Sequence, residues 1–368
     1  MWGRIVALIV KEMLSVWRDR KSRFVLIVPP LIQLAVFSYA ATYDVEDVTL
    51  ALYNQDGGLA ARELVARIQG SPTFARIQVV EDERALAAAI DSRAAMAGLR
   101  IPQDYSRRVE AGQGASVQLI LDGRRSNTAQ IAGGYLSTVI IEHNAAIAAQ
   151  AGRSMGPALV TRVWFNPNLE SLWVVVPGLV GVLTQVVALV VTGLSVARER
   201  ELGTFEQLLV TPLRPWEILV GKTAPGLLIG LVEGSVIILA SQLWFRVPLT
   251  GSLLLLYGAL AVFLLCTIGV GLFISALSST QQQAIMGAFF FLVPAIILSG
   301  FATPVQNMPE WLQTVTLLNP VRHFLVVLWG VFLKDMPAVL VWQSVWPMAA
   351  LAAVTLTAAA WLFRRRLY

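Results

Sequence analysis

The side chains of this chain that could perform chemistry are few and lie far apart. There is one cysteine, Cys266, and there are two histidines, His143 and His323. A disulfide framework or a Cys/His metal site needs several such residues together, so neither is expected. His143 has no serine or cysteine nucleophile motif around it, and we interpret it as a surface residue. We therefore predict that the chain has no catalytic site and no metal of its own.

One segment resembles the end of a phosphate-binding loop. Gly221, Lys222 and Thr223 match the last three positions of the pattern G-x-x-x-x-G-K-[ST]. The first position requires glycine but is occupied by Trp216, and no strand precedes the segment. We interpret the match as accidental and predict that this chain does not hydrolyse ATP alone.

A single carboxylate, Glu233, interrupts a long apolar stretch. An ionised carboxylate at the centre of a bilayer costs about 2.5–3.5 kcal/mol on insertion scales. Glu233 is therefore expected to face the interior of a helix bundle or to be protonated. Two interpretations stay open: a structural hydrogen bond, for example to Gln185 or Gln242, or a role in substrate contact or proton coupling.

Three glycines in the same stretch, Gly226, Gly230 and Gly234, recur every four residues. Such a stripe of small residues lets two helices approach closely in a membrane. We predict a role in helix packing for these glycines.

The composition is that of a membrane protein. Of 368 residues, 56% are hydrophobic and 14% are charged, against roughly 25% charged residues in soluble proteins. The mean hydropathy is +0.67. Six stretches are long and apolar enough to cross a ~30 Å hydrocarbon core as helices. They cover residues 24–43, 172–197, 223–245, 253–276, 284–301 and 336–363.

The positive charges predict the orientation of the chain, because short cytoplasmic segments are enriched in lysine and arginine. The short segments on the side of the termini hold thirteen such residues, and the opposite short loops hold three, Arg246, Arg322 and Lys334. Both termini are therefore expected in the cytoplasm. This distribution, and not nucleic-acid binding, accounts for the net charge of +5.

The chain is expected to begin with a helix that lies on the membrane surface. Over residues 1–23, apolar residues from Trp2 to Trp17 recur at helical spacing, with Arg4, Lys11 and Arg18 on another face. A secretory signal is the competing interpretation, since Ser38, Tyr39 and Ala40 fit a cleavage pattern. The long patterned segment before the apolar stretch favours an uncleaved span over residues 24–43.

Residues 44–171 have a different composition and contain no apolar run of membrane-spanning length. Their pattern predicts strands over 48–53, 77–80, 95–101 and 116–122 and helices over 59–69, 83–91 and 126–151. We therefore expect a small extracytoplasmic α/β domain inserted between the first two spans. Residues 172–368 are expected to hold spans two to six.

Two segments between spans carry patterns of their own. The pattern of the cytoplasmic loop over 198–222 fits a short amphipathic helix, which Thr204 could cap and which Pro212 would end. A solvated loop without a partner is an equally good interpretation of this pattern. The segment over 302–335 lies on the outer side. There, Asn307 is a plausible cap of a short interfacial helix with Pro309 in its first turn, and His323 is expected at the outer interface.

Several motifs resemble those of the type-2 ABC export permeases. The loop residues 198–212 (RERELGTFEQLLVTP) and 213–222 (LRPWEILVGK) are similar to that family's coupling region. Further matches follow in order along nearly the whole chain: KE at 11–12, RDR at 18–20, LDG at 121–123, SNT at 126–128, STQQQA at 279–284, LSGF at 298–301, MPEWL at 308–312 and NP at 319–320.

This resemblance implies a multi-pass permease in a bacterial inner membrane. Two permease chains, either identical or paralogous, would form the export path. Each would contact a separate ATP-binding subunit that uses ATP and Mg²⁺, and this chain would hold no cofactor itself. A periplasmic adaptor and an outer-membrane channel are further possible partners. The resemblance assigns the contact with the ATPase to five residues of the loop: Glu199, Glu201, Gly203, Thr204 and Glu206.

The resemblance favours drug efflux, of hydrophobic or amphipathic substrates, and leaves alternatives open. One is the export of lipids or polysaccharides by the same family. Another is an ion-coupled secondary transporter, a class that usually shows internal repeats and several intramembrane ionisable groups. We find no convincing repeat, and Glu233 is the single candidate for such a group.

Overall fold

The computed structural model describes residues 2–40, 49–71, 73–74, 76–113, 115–122, 126–150, 164–166, 170–205 and 213–367. They form two compact units. One unit combines Met1–Thr42 with Val163–Tyr368, and the other is Tyr43–Arg162.

Two helices open the first unit. Helix α1 covers Trp2–Arg18, and α2 covers Arg20–Ala40 with Pro29 and Pro30 inside it. The two faces of α1 differ: Ile5, Leu8 and Glu12 are buried, whereas Trp2 and Trp17 are exposed. The spacing of the buried residues, at i, i+3 and i+7, defines one helical face.

The second unit is a mixed α/β fold around a four-stranded sheet. Its elements in chain order are β1 (Thr49–Asn54), α3 (Leu59–Gln69), β2 (Arg76–Val79), α4 (Glu83–Asp91), β3 (Ala97–Ile101), α5 (Tyr105–Glu110), β4 (Gln118–Leu121) and α6 (Ser126–Gln150). The strand order is β2-β1-β3-β4. Strand β1 pairs in parallel with β2 and β3, and β4 is antiparallel to β3.

The predicted strands and helices of this unit are all present, and their ends shift by no more than two residues. Helix α5 was not predicted, because six residues are too few to show an apolar period. The expectation that His143 lies on the surface is wrong, since its side chain is fully buried. Leu136 and Ala132 are buried on the same face of α6, about two and three turns before His143. Helical spacing therefore places His143 on the core face.

Seven α-helices follow in the part of the first unit that the structure describes. They are α7 (Leu172–Glu201), α8 (Pro215–Leu243), α9 (Leu253–Leu277), α10 (Gln281–Ile297), α11 (Glu310–Val315), α12 (Pro320–Lys334) and α13 (Ala338–Leu367). In the described part of the chain, four helices are long and apolar enough to cross a membrane: α7, α8, α9 and α13. Helix α10 and the Leu26–Tyr39 part of α2 are apolar but shorter. The prediction of a helical membrane protein with several spans is thus confirmed.

The segment before α13 is a bent helix pair. Residues Glu310–Leu318 and Pro320–Lys334 meet at 85°. Asn319 makes the bend: its Oδ1 accepts a hydrogen bond from the backbone N of Val321 at 3.1 Å, which caps α12. The prediction that Asn307 caps the short helix is wrong, because Asn307 belongs to a 3₁₀ turn and Pro309 occupies the cap position of α11.

The core of the first unit lies between α7, α9, α12 and α13, where the rings of Phe263 and Phe324 stack with centroids 4.5 Å apart. Helix α8 packs closely on this core through its glycines. A Cβ on Gly226 would lie 2.7 Å from Thr192 Cγ2, and one on Gly230 would lie 2.6 Å from Leu264 Cδ2. A Cβ on Gly234 would lie 2.8 Å from Leu260 Cδ2. Each glycine therefore meets α7 or α9 where a larger residue would not fit.

Candidate functional site

The side chain of Lys222 is completely buried at the start of α8 and is fully hydrogen-bonded. Its Nζ donates to Glu199 Oε2 at 2.8 Å, to Glu12 Oε1 at 3.1 Å and to Ser195 Oγ at 3.1 Å. An ammonium group has three hydrogens, and these three contacts use all of them. Burial of a charge is costly unless the charge is paired, so two carboxylates beside one ammonium meet that requirement.

The two carboxylates have further partners. Ser195 Oγ donates to Glu12 Oε2 at 3.2 Å. Lys11 Nζ donates to Glu199 Oε1 at 2.5 Å and lies 3.6 Å from Glu12 Oε1. Lys11, Glu12, Ser195, Glu199 and Lys222 are hereafter called the ion-pair cluster. Its two ammonium groups balance its two carboxylates.

The neighbouring charges of the ion-pair cluster shift the pKa values of Glu12 and Lys11. Burial acts to raise the pKa of Glu12, but the nearby ammonium groups of Lys222 and Lys11 outweigh it and hold that pKa below its usual range. Burial acts to lower the pKa of Lys11, but Glu199 and Glu12 outweigh it and raise that pKa. Both shifts favour the charged forms of Glu12 and Lys11 at neutral pH.

The ion-pair cluster joins three helices at the base of the loop between α7 and α8. Glu12 lies on α1, Ser195 and Glu199 lie one turn apart on α7, and Lys222 lies on α8. Gly221 brings α1 close, since a Cβ there would lie 2.3 Å from Leu8 Cδ2. Helix α1 is thus connected both to the end of α7 and to the first turns of α8.

The backbone after α7 turns sharply at Gly203. Its φ of +70° belongs to the left-handed region that favours glycine. The backbone N of Thr204 donates to Glu199 O at 2.9 Å, and that of Gly203 donates to Arg200 O at 3.0 Å. This is a glycine-dependent helix end of the Schellman type, and it sets the direction in which the loop leaves.

The loop base also contacts the corner between α9 and α10. Arg200 donates to the carbonyl oxygens of Ala276 at 2.8 Å and Ser278 at 3.0 Å, at the end of α9. Glu201 is exposed, and its Oε2 accepts from the backbone N of Gln281 at 2.8 Å, in the first turn of α10. A carboxylate at a helix N-terminus is favourable because of the helix dipole.

The five loop residues assigned to the ATPase contact thus occupy different environments. Glu199 is buried in the ion-pair cluster, with 7% of its surface exposed. Glu201 and Gly203 are exposed at the loop base, and Thr204 is partly exposed beside them. Glu206 lies outside the described residues, as does the rest of the predicted short helix up to Pro212.

Sequence reasoning missed most of the ion-pair cluster. Glu12 and Lys222 belong to motifs that resemble the permease family, but neither motif predicts that the two side chains meet. The spacing of Glu12 carried a signal, because it falls on the same face of α1 as Ile5 and Leu8. A charged residue on an otherwise apolar buried face requires a partner, but the sequence does not say which one.

Glu233 has no hydrogen-bond partner among the described residues, although both carboxylate oxygens are buried. Gln185 is likewise buried without a partner in that part of the chain, so the suggested bond between the two side chains is not formed. Gln242 is not bonded to Glu233 either.

Comparison with known protein families shows to which family this chain belongs. The model of the ABC-2 family transporter proteins matches residues 20–361. The chain belongs to the ABC-2 family. The match includes α2, the α/β unit, the coupling loop and all the later helices, whereas α1 precedes it.

Individual ABC-2 relatives match over most of their length. The probable multidrug ABC transporter permease YbhR of Escherichia coli (strain K12) is 42% identical over 367 residues, 100% of each chain. The probable multidrug ABC transporter permease YbhS of the same strain is 32% identical over 373 residues, 99% of this chain and 97% of its own. The inner membrane transport permease YhhJ is 30% identical and covers 73% of this chain and 72% of its own.

These similarities make the chain a permease subunit of an ABC exporter. Membership of the ABC-2 family also implies a partner subunit that binds ATP. The ion-pair cluster accordingly lies at the base of the loop that the family resemblance assigns to that partner.

Proposed function

We propose that this ABC-2 permease exports hydrophobic or amphipathic compounds, drugs among them, with energy from ATP that a separate subunit hydrolyses. The relatives YbhR and YbhS, both named as probable multidrug permeases, support this substrate class. ATP and Mg²⁺ would bind to the partner, and the permease would contribute the path and the coupling loop.

The ion-pair cluster is the observation that carries the coupling part of the proposal. A movement of the loop would pull on the end of α7 and the start of α8 together, because Lys222 connects Glu199 to Glu12. Removing one partner of a buried ion pair typically costs about 3–5 kcal/mol. The three helices would therefore move as one body when the ATPase subunits close.

The proposed topology has six spans with both termini in the cytoplasm. Helices α2 and α10 would supply the two spans beyond the four long helices, since both are apolar and lie at the predicted positions. The bent pair α11 and α12 would form an outer re-entrant segment. The α/β unit between α2 and α7 would then stand outside the cytoplasm.

We also propose that two permease chains form the path. The match to both YbhR and YbhS, two permeases of one organism, supports either a homodimer or a pair of paralogues. The name of YhhJ, an inner membrane transport permease, supports the location.

The test is reconstitution of the purified permease in proteoliposomes, with and without its ATP-binding subunit. We expect negligible ATPase activity from the permease alone and ATP-dependent uptake of a fluorescent lipophilic dye by the complex. Uptake that persists without ATP but stops when the proton gradient collapses would contradict the proposal. Flipping of labelled lipid without dye uptake would contradict drug efflux and favour lipid export.

A further inference from the structure

An apolar cavity lies between the surface helix and the first and third predicted spans. Its volume is about 390 Å³, and α1, α2 and α8 line it. Met13 and Trp17 contribute from α1, Leu26 and Pro30 from α2, and Ile229 and Val236 from α8. Cavities of roughly 300–1,000 Å³ hold drug-sized ligands, so this one suits a small organic molecule.

One acidic residue lies in the wall of this cavity. Glu233 is a lining residue, both of its oxygens are buried, and it has no partner among the described residues. In an apolar wall such a group costs several kcal/mol unless a counter-charge or a proton neutralises it. The described part of the chain supplies no counter-charge by hydrogen bond or ion pair, so a ligand could supply it.

Arg23 is the other charged residue of the lining. It is exposed, near the start of α2, where its guanidinium remains in contact with solvent or headgroups. A charge in that position is screened, whereas a negative charge on the buried carboxylate of Glu233 would not be. The electrostatic preference inside the cavity is therefore set by Glu233.

We propose that this cavity binds an amphipathic organic cation, with Glu233 as its counter-charge and the apolar walls around its body. This inference deepens the proposed function, since it names a substrate class, but binding itself requires neither ATP nor the partner subunit. The competing occupant is an anionic phospholipid, with acyl chains in the cavity and its phosphate on Arg23. An unpaired carboxylate inside the cavity disfavours that occupant.

The experiment measures equilibrium binding of radiolabelled tetraphenylphosphonium to the full-length permease in phosphatidylcholine nanodiscs. Empty nanodiscs provide the background for partition into lipid. We expect saturable binding to the wild type and binding about tenfold or more weaker to Glu233→Gln, which keeps the shape but removes the charge. Glu233→Asp should retain saturable binding, and the matched control Glu310→Gln, an exposed residue outside the cavity, should bind as the wild type does.

A second variant keeps the test decisive if Glu233→Gln is poorly folded. Ile229→Trp fills the cavity but leaves Glu233 in place, and it should also abolish saturable binding. Binding that is equal in the wild type and in Glu233→Gln would overturn the proposal. So would the absence of saturable binding to the wild type, or co-purified phosphatidylglycerol that Arg23→Gln releases and Glu233→Gln does not.

Because the assay omits the ATPase subunit, its outcome is separate from that of the export test. Cation binding without ATP-driven uptake would refute the proposed export and leave the site intact. Export of dyes that is unaffected by Glu233→Gln, with no tetraphenylphosphonium binding, would refute the site and leave the export function intact.

Discussion

Lys222 and Glu12 are 210 positions apart in the sequence, and their side chains meet with Nζ and Oε1 at a distance of 3.1 Å. This contact attaches the surface helix α1 to α8, and the bond from Lys222 to Glu199 extends it to α7. The ion-pair cluster therefore connects three separate segments at the base of the loop between α7 and α8.

Replacement of Lys222 tests the connection between α1, α7 and α8. Lys222→Met leaves the carboxylates of Glu12 and Glu199 buried without their shared ammonium, so we expect a loss of about 3–5 kcal/mol in unfolding free energy. Substrate-stimulated ATPase activity of the complex should fall with it. Thermal unfolding in detergent and ATPase assays measure the two effects.

Lys11→Met is the matched control for that substitution, because the side chain of Lys11 is 52% exposed and that of Lys222 is 0% exposed. Its effect should be clearly smaller, since exposed ion pairs contribute little. Equal effects of the two substitutions would show that burial of Lys222 does not matter to coupling.

Gly221→Ala tests the close approach of α1 to α8. The new Cβ would lie 2.3 Å from Leu8 Cδ2 and 3.1 Å from Leu8 Cβ, so the helices must separate or Leu8 must move. Overpacking of this kind costs about 1–3 kcal/mol. Faster hydrogen exchange in α1 is the expected readout.

The double variant Gly221→Ala with Leu8→Ala should restore slow exchange, because it removes the atoms that clash. Gly258→Ala is the control, since no atom lies within 4 Å of a Cβ at that position. Slow exchange in α1 of Gly221→Ala itself would contradict the assigned contact.

Glu201→Ala and Glu206→Ala test the contact with the ATPase subunit that the family resemblance assigns. For Glu201 the structure adds a reason: loss of its bond to the backbone N of Gln281 removes an anion from the N-terminus of α10, worth about 0.3–1 kcal/mol. We expect reduced substrate-stimulated ATPase activity and normal membrane insertion. Unchanged stimulation in both variants would count against the assignment, and Glu310→Ala serves as the control.

His143 predicts a pH dependence of the α/β unit. Burial, aided by the charge of Arg67, lowers the pKa of His143 below its usual range. The unfolded chain then binds a proton at a higher pH than the folded one. Stability should therefore be fully present above about pH 7 and should fall as the pH drops below about 6.5, the ordinary histidine value.

Hydrogen exchange of α3 and α6 in the full-length protein, corrected for the intrinsic effect of pH, measures this dependence. His143→Gln cannot take up the proton, so its profile should be flatter between pH 7 and pH 5, a range that includes the ordinary pKa of histidine. A profile of His143→Gln that matches the wild type would exclude His143 as the cause.

Several elements of the fold follow from local patterns. The predicted apolar stretches overlap α7, α8, α9 and α13, although α8 begins at Pro215, before its stretch. The predicted strands and helices of the α/β unit match their observed ends closely. The end of α7 at Gly203 likewise depends on neighbours in sequence, since only the backbone bonds of the preceding turn form it. Hydrophobicity and periodicity are properties of consecutive residues, so the sequence displays them directly.

The sequence by itself thus determined that this is a helical membrane protein of the ABC-2 family. The tertiary structure decided which charges meet: Lys222 with Glu12 and Glu199, and Glu233 with no partner in the described part of the chain. It also decided that His143 is buried. These facts depend on which distant segments pack together, and the energy of a buried charge or imidazole depends on those neighbours and not on its own position in the chain.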